Sequence, residues 1–255
     1  MIRTFDSLKT DFLSSKPFNH VVIDNFFEDD VANALSDEFP KYDSSTWHVY
    51  DNAIEHKKTS NDWNKFTPVT YRVFDALNSQ AFIIRLNSIV GGTLHSDPGL
   101  HGGGWHIHGR GGKLNIHLDY DIHPKMELQR KLNLIVYLTK DWQPEWGGGL
   151  EFWDHDDGTN GPKSCVKRVD NKFNRAVLFD TTQNSWHGLP VELNCPVDRY
   201  RKSIAVYYLQ EPKDATTRQK ALFAPYMNQK TNPDVLELIK NRSDIEQFST
   251  TYVTK

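Results

Sequence analysis

At 255 residues, with 38% hydrophobic and 12% aromatic side chains, the chain can close one packed core, two small domains being the alternative. Its 30 basic and 33 acidic residues give a net charge of −3, so no basic excess favours nucleic acid as a partner. No apolar run reaches membrane-spanning length, residues 1–15 carry Asp6 and Asp11 and are no signal peptide, and Cys165 and Cys195 make no disulfide framework, so a cytoplasmic location is expected.

Residues 1–16 read as a short amphipathic helix or a loose arm, ended by Pro17 and Phe18. The run 19–27, with Val21, Val22 and Ile23 in succession, reads as a strand. Asp29 and Asp30 then open a helix through Val31, Ala32, Leu35 and Phe39, with acids at its positive end, and Pro40 stops it. Residues 41–68 are polar and aromatic and read as irregular, with room for one strand. Val69, Val73, Ala76 and Leu77 share a helical face, which predicts a helix over 69–78. Residues 81–90 fit helix or strand, with helix favoured for the second half. Residues 101–112 hold six glycines in twelve positions, giving either a mobile lid or a tight turn flanking a strand. Strands follow at 113–119, 132–139, 150–153, 175–180 and 202–209, and 154–162 reads as a turn-rich loop. After Pro212 the pattern turns helical, around 215–224 and 234–240. Short strands between glycine, proline and asparagine turns predict a sandwich or barrel with helices at both ends, in one domain.

His117 and Asp119 lie two apart on a predicted strand, so alternation points both side chains to one face. His187 follows 70 positions later (187 − 117), just after the predicted strand 175–180. Two histidines and one carboxylate are the ligand set of a non-heme Fe(II) centre, with the opposite face of the metal left open. A bare His-x-Asp arises often by chance; the strand setting, the distal histidine and a later Arg-x-Ser make the combination specific. His106 and His108 also share a face and offer a cupin-like rival, but without the carboxylate. Residues 105–108 read instead as the pocket mouth, with His101 nearby, and His123 as structural or as a group behind the ligands. Arg201 opens an apolar strand with Ser203 on the same face. A buried guanidinium needs an anion, and a dicarboxylate co-substrate offers a bidentate one. Arg199, in a polar loop, is its rival for that role.

At these residues the chain resembles the 2-oxoglutarate/Fe(II)-dependent dioxygenases, in particular their prolyl 4-hydroxylase-like branch. The resemblance covers roughly residues 113–210. It is carried by His117-Leu118-Asp119, by 132–142 running into Gly147-Gly148-Gly149-Leu150, by 177–187 and by 201–209. It implies a mainly β fold with flanking helices, a double-stranded β-helix or jelly roll. The expected layout is a single dioxygenase domain over 1–255, with a helical, substrate-shaping part at 1–100, the jelly-roll core at 101–210 and C-terminal helices at 211–255.

The resemblance further implies Fe(II) on His117, Asp119 and His187, and 2-oxoglutarate with its far carboxylate on Arg201 and Tyr137. Asn133 would point into the cofactor pocket from the same strand face as Tyr137, and Ser203 would assist Arg201. Dioxygen would then hydroxylate a C–H bond of a small-molecule or peptidyl substrate, giving succinate and carbon dioxide. Two features depart from the family. The spacing from His187 to Arg201 is longer, and no tyrosine stands just before the His-x-Asp pair, where those enzymes place a second co-substrate contact. Asn115 and His108 are the candidates to replace it. The fold does not name the substrate. The alternative reading is a non-oxygenase jelly roll, a cupin-like isomerase or binding protein, holding Zn(II) or Mn(II) on the same ligands.

Overall fold

The computed structural model describes residues 1–3, 8–213, 218 and 220–244. Its helices are α1 (Lys9–Ser14), α2 (Asp29–Asp37), α3 (Pro68–Asn78), α4 (Gln80–Val90) and α5 (Pro233–Ser243). The strands of the first half are β1 (His20–Ile23), β2 (His48–Asp51), β3 (Glu55–Ser60), β4 (His95–Ser96), β5 (Gly104–His108) and β6 (Lys113–Leu118). Those of the second half are β7 (Gln129–Tyr137), β8 (Leu150–Asp156), β9 (Gly161–Val169), β10 (Ala176–Asp180), β11 (His187–Leu189), β12 (Arg201–Gln210) and β13 (Leu222–Phe223).

The strands form a nearly closed jelly roll. One hydrogen-bonded path runs β1-β10-β7-β12-β5-β3-β6-β11-β8-β9, with β2 on β3, β4 on β12 and β13 on β6. Strand β3 is the corner. Lys58, Thr59 and Ser60 pair with β5, while Glu55 and His56 pair with β6, so one strand belongs to both sheets.

Alternation explains the layers. Leu132, Leu134 and Val136 of β7, with Ile204, Val206 and Tyr208 of β12, point to one side and join the main core. Phe12, Leu35, Phe74, Leu77, Phe82 and Leu86 of α1–α4 cover them there. The helices are fixed by their ends. Glu38, just past α2, accepts the Val69 and Thr70 amides at 3.1 Å and so caps α3. The Ser79 hydroxyl caps α4, which ends at Gly91 with φ +75°. Inside the roll, Phe18, Leu150, Phe152, Val169, Val177 and Phe179 fill one end. The other end is a polar cavity.

Several expectations are corrected. Residues 41–68 hold two strands, not one, because β2 and β3 are polar and lack apolar alternation. The predicted loop 154–162 is the end of β8, a turn at 157–160 and the start of β9; β9 is largely exposed and carries no hydrophobic signal. The whole of 80–90 is helical. Residues 1–100 are not simply helical, since they supply β1–β4 as well. In the predicted helix 215–224, residues 215–217 and 219 lie outside the described residues, while Leu222 and Phe223 are strand β13, drawn into the sheet by β6. Residues 234–240 are helical within α5. No described helix is long and apolar enough to cross a membrane.

The glycine-rich stretch is not a lid over its length. Its middle is β5, paired with β12 on one side and β3 on the other. Gly104 is required there, because a Cβ would lie 2.2 Å from the Ser60 carbonyl oxygen and φ is +89°. Trp105 is fully buried against Phe39, Trp47 and Phe66 and is core, not pocket mouth. The β5 amides should therefore be among the slowest to exchange in hydrogen–deuterium measurements, with or without ligand. Fast, ligand-sensitive exchange across all of 101–112 would restore the lid.

Candidate functional site

His187 on β11 stands directly opposite His117 on β6, with ring centroids 4.4 Å apart. Asp119 follows two residues after His117, just past the strand end. Its carboxylate oxygens lie 3.7 Å from His117 Nε2 and 3.8 Å from His187 Nε2. Both imidazoles point Nδ1 at a carbonyl two residues back, Asn115 at 2.9 Å and Ser185 at 2.8 Å. A carbonyl only accepts, so each Nδ1 carries the proton and each Nε2 presents a lone pair. Phe223 stacks on His117 and Phe179 meets His187 edge-on, which fixes the rings.

Burial, then His187, pushes the His117 pKa down to about 3, and burial lowers that of His187. Burial alone would raise Asp119, but His187, Arg130 and His117 outweigh it and hold the carboxyl below its usual value. The result is two neutral imidazole lone pairs turned on an ionised carboxylate. Three electron-rich groups facing one another call for a cation between them, and the donor set suits Fe(II). These three are the metal-ligating cluster among the described residues, with ligand atoms within 4.8 Å of one another.

The triad lines a cavity of about 160 Å³ that runs toward Arg201. Three strands form its floor. At the far end Arg201 of β12 stands opposite His108 of β5. Next comes Ser203, between His106 of β5 and Tyr137 of β7. Ala205 follows between Gly104 and Ile135, then Tyr207 opposite Asn133 beside the triad. Arg201 is 3% exposed, donates its Nε to the Gly148 carbonyl at 2.8 Å, and has no carboxylate partner among the described residues. Its Cζ lies 4.9 Å from the Tyr137 ring, whose buried hydroxyl faces the guanidinium. A buried cation with a hydroxyl beside it at one end suits the free carboxylate of a ligand. Arg199 is exposed and sits in a loop.

Of the seven residues singled out from sequence, His117, Asp119, His187, Arg201, Ser203 and Asn133 line this cavity; Tyr137 lies just behind it. Asn133 points at Asp119, with its Nδ2 3.4 Å from Oδ2. Asn115 is committed elsewhere, donating to the Ala224 carbonyl and to Gln229. His123 is structural: its Nδ1 accepts two backbone amides and its Nε2 lies 3.4 Å from Asp97.

Two important residues were not anticipated. Tyr207 donates its hydroxyl to Asp119 Oδ1 at 3.2 Å. Arg130 is sandwiched between the Tyr120 and Tyr207 rings, with Cζ 3.4 and 3.5 Å from their centroids and Nη1 3.8 Å from Asp119 Oδ1. Simple alternation puts Arg130 with Leu132 and Leu134 on the helix side. A register shift between Tyr208 and Leu209 inserts Lys131 as a bulge and turns Arg130 to the metal side.

Residues 103–209 match the 2OG-Fe(II) oxygenase superfamily. The chain carries a 2OG-Fe(II) oxygenase domain. This sets aside the cupin-like and binding-protein alternatives, as does the cationic setting of His106 and His108 beside Lys57 and Arg201. No curated relative matches the sequence. In fold the oxygenase is similar to a Pseudomonas putida prolyl-4-hydroxylase, with a TM-score of 0.56 and 17% identity over 82% of this chain and 100% of that one. It is similar to a Trichoplax adhaerens prolyl hydroxylase solved with a hypoxia-inducible-factor peptide, with a TM-score of 0.55 and 18% identity over 80% and 88%. HygX from Streptomyces hygroscopicus, solved with nickel, 2-oxoglutarate and hygromycin B, gives a TM-score of 0.53 and 13% identity over 80% and 86%.

The oxygenase keeps four histidines around this cavity neutral, with His108, His117 and His187 buried and His106 half-buried. Burial is the first cause for each; His106 and His117 fall to about 3, and His108 and His187 are also lowered. In the unfolded chain each takes a proton near pH 6.5, whereas the folded form does not until far lower. Stability therefore falls as pH drops below about 6.5, by about 1.4 kcal/mol per pH unit for each histidine fully titrating only in the unfolded chain. Metal-free protein should show a lower denaturant midpoint at pH 5.5 than at pH 7.5; equal midpoints would contradict the neutral assignment.

Proposed function

We propose that this oxygenase is a hydroxylase acting on a C–H bond of a polar small-molecule or peptidyl substrate, with residues 1–255 working as one domain. The observation that carries the reading is one cavity with a two-histidine, one-carboxylate set at one end and a buried, acid-free arginine at the other. His117, Asp119 and His187 would hold Fe(II), and Arg201 with Tyr137 would hold the distal carboxylate of 2-oxoglutarate. The chemistry supplied there is oxidative decarboxylation of 2-oxoglutarate by dioxygen to succinate and carbon dioxide, coupled to conversion of C–H to C–OH.

The chain's own part is to place, orient and keep dry. The carbonyls of Asn115 and Ser185 fix both imidazole tautomers. Tyr207 and Asn133 fix the rotation of the Asp119 carboxylate. Ile135 and Ala205 line the middle of the cavity with apolar surface. A mouth of about 590 Å³ opens beside it, sharing Tyr50, Thr59, Gly102, Tyr120, Ala221 and Arg242. Its hydroxyl, imidazole and basic groups favour a polar substrate. The peptide of the Trichoplax adhaerens enzyme and the hygromycin B of HygX support a roll of this shape admitting either kind.

Two experiments bear on this reading. Asp119→Ala should abolish succinate formation and sharply weaken Fe(II) binding; full activity and affinity in that variant would remove Asp119 from the metal. Arg201→Ala should raise the 2-oxoglutarate requirement by about tenfold to several hundredfold. A charge-assisted bond contributes roughly 1.5–3 kcal/mol and each decade is about 1.4 kcal/mol. Arg199→Ala should be mild. If both arginine variants leave the 2-oxoglutarate dependence unchanged, the cavity does not hold this co-substrate through Arg201.

A further inference from the structure

His108 is a buried histidine with nothing to do in the protein alone. It is 2% exposed, and neither Nδ1 nor Nε2 has a hydrogen-bond partner. Buried polar atoms are nearly always paired, and each one left unpaired costs free energy comparable to a lost hydrogen bond. A phenylalanine would fill the same space without that cost. The ring also lines the cavity. It stands in register with Arg201, on the neighbouring strand, so the two side chains share the far end of the cavity. The Tyr137 hydroxyl faces the same guanidinium. His106 shares the orientation but stands one rung nearer the metal, opposite Ser203.

A partnerless imidazole, a hydroxyl and a guanidinium gathered at one end of a cavity point to one ligand group. A neutral imidazole has one N–H and one lone pair. Beside a guanidinium it stays neutral, so it meets an incoming carboxylate as a hydrogen-bond donor rather than as a second charge. Asn115, the other side chain from the sequence before the metal strand, is already bonded elsewhere.

We propose that His108 donates a ring N–H to the distal carboxylate of 2-oxoglutarate, on the side of that group opposite Tyr137, with Arg201 between them. This rests on the reading of the cavity as a 2-oxoglutarate site. It assigns the contact that the sequence leaves without a tyrosine to a histidine on β5.

The test is a cycle between residue and ligand, read by calorimetry on the full chain loaded with Mn(II) under anaerobic conditions, so that binding is measured without turnover. The two probes are 2-oxoglutarate and 2-oxopentanoate, which has the same chain length and keto acid but a methyl in place of the distal carboxylate. His108→Phe keeps a ring of similar volume and drops both nitrogens; His108→Leu is the alternative should the first fail to fold. Either should lose about tenfold in 2-oxoglutarate affinity, about 1.4 kcal/mol, and change 2-oxopentanoate by less than about twofold. His108→Gln, which retains an N–H, should recover most of the affinity. Mn(II) affinity without co-substrate should not change. An equal loss for both ligands, or no loss for either, overturns the contact, because a merely structural role cannot sense the distal carboxylate. If Arg201→Ala erases the preference for 2-oxoglutarate while His108→Phe keeps it, the His108 contact alone is wrong. If wild type itself does not prefer 2-oxoglutarate, the co-substrate reading of the cavity fails and takes this contact with it.

Discussion

His187 faces His117 across β11 and β6, and the chemistry of the molecule depends on that one register. Slipping either strand by one residue would turn a ligand to the opposite side of the sheet. The pairing is held close by Gly188, where a Cβ would fall 2.8 Å from the carbonyl oxygens of Leu114 and Asn115. Any side chain there would push β11 away and open the distance between the two imidazoles. The Asn115 carbonyl bonds the His117 ring, so the backbone that sets the register also sets the tautomer.

Strands β7 and β12 carry two alphabets at once. One side is Leu134, Val136, Ile204 and Val206, packed under the helices; the other is Asn133, Tyr137, Arg201 and Ser203 around the cavity. Both faces are buried, so the apolar side holds the polar side in place. A guanidinium enclosed without an acid is costly by itself. It is sustained by a rigid layer that cannot collapse onto it and by the backbone carbonyl of Gly148.

The parts of this arrangement that were legible in the sequence are those governed by period two. His117 with Asp119, Arg201 with Ser203 and the strand cores all follow from alternation on strands with strong apolar signals. What stayed hidden had other causes. Strands β2, β3 and β9 are polar and partly exposed, so no hydrophobic pattern marks them. Arg130 was unreadable because a bulge inverts the parity of the residues before it. Tyr207 looks like one more aromatic in a buried strand, and only its distance to Asp119 gives it a role. The glycines of 101–112 left a mobile lid and a tight turn beside a strand equally open; at Gly104 they answer to the close approach of β3.

The corner strand β3 and its partner β2 divide the encoding of the molecule in two. His117, Asp119, His187, Arg201, Tyr137 and the floor of the cavity all lie within residues 103–209, the stretch that matches the superfamily. The mouth is walled largely from outside it, by Thr46, His48, Tyr50 and Thr59 of the first segment and by Lys220 and Arg242 of the last. On the proposed function, the oxidising apparatus and the walls that would meet the substrate thus lie in different parts of the chain. Sequence drift in the β2–β3 hairpin or before and along α5 can redraw the entrance while every residue around the iron position stays as it is. A lineage built on this plan can change its clientele without relearning its reaction.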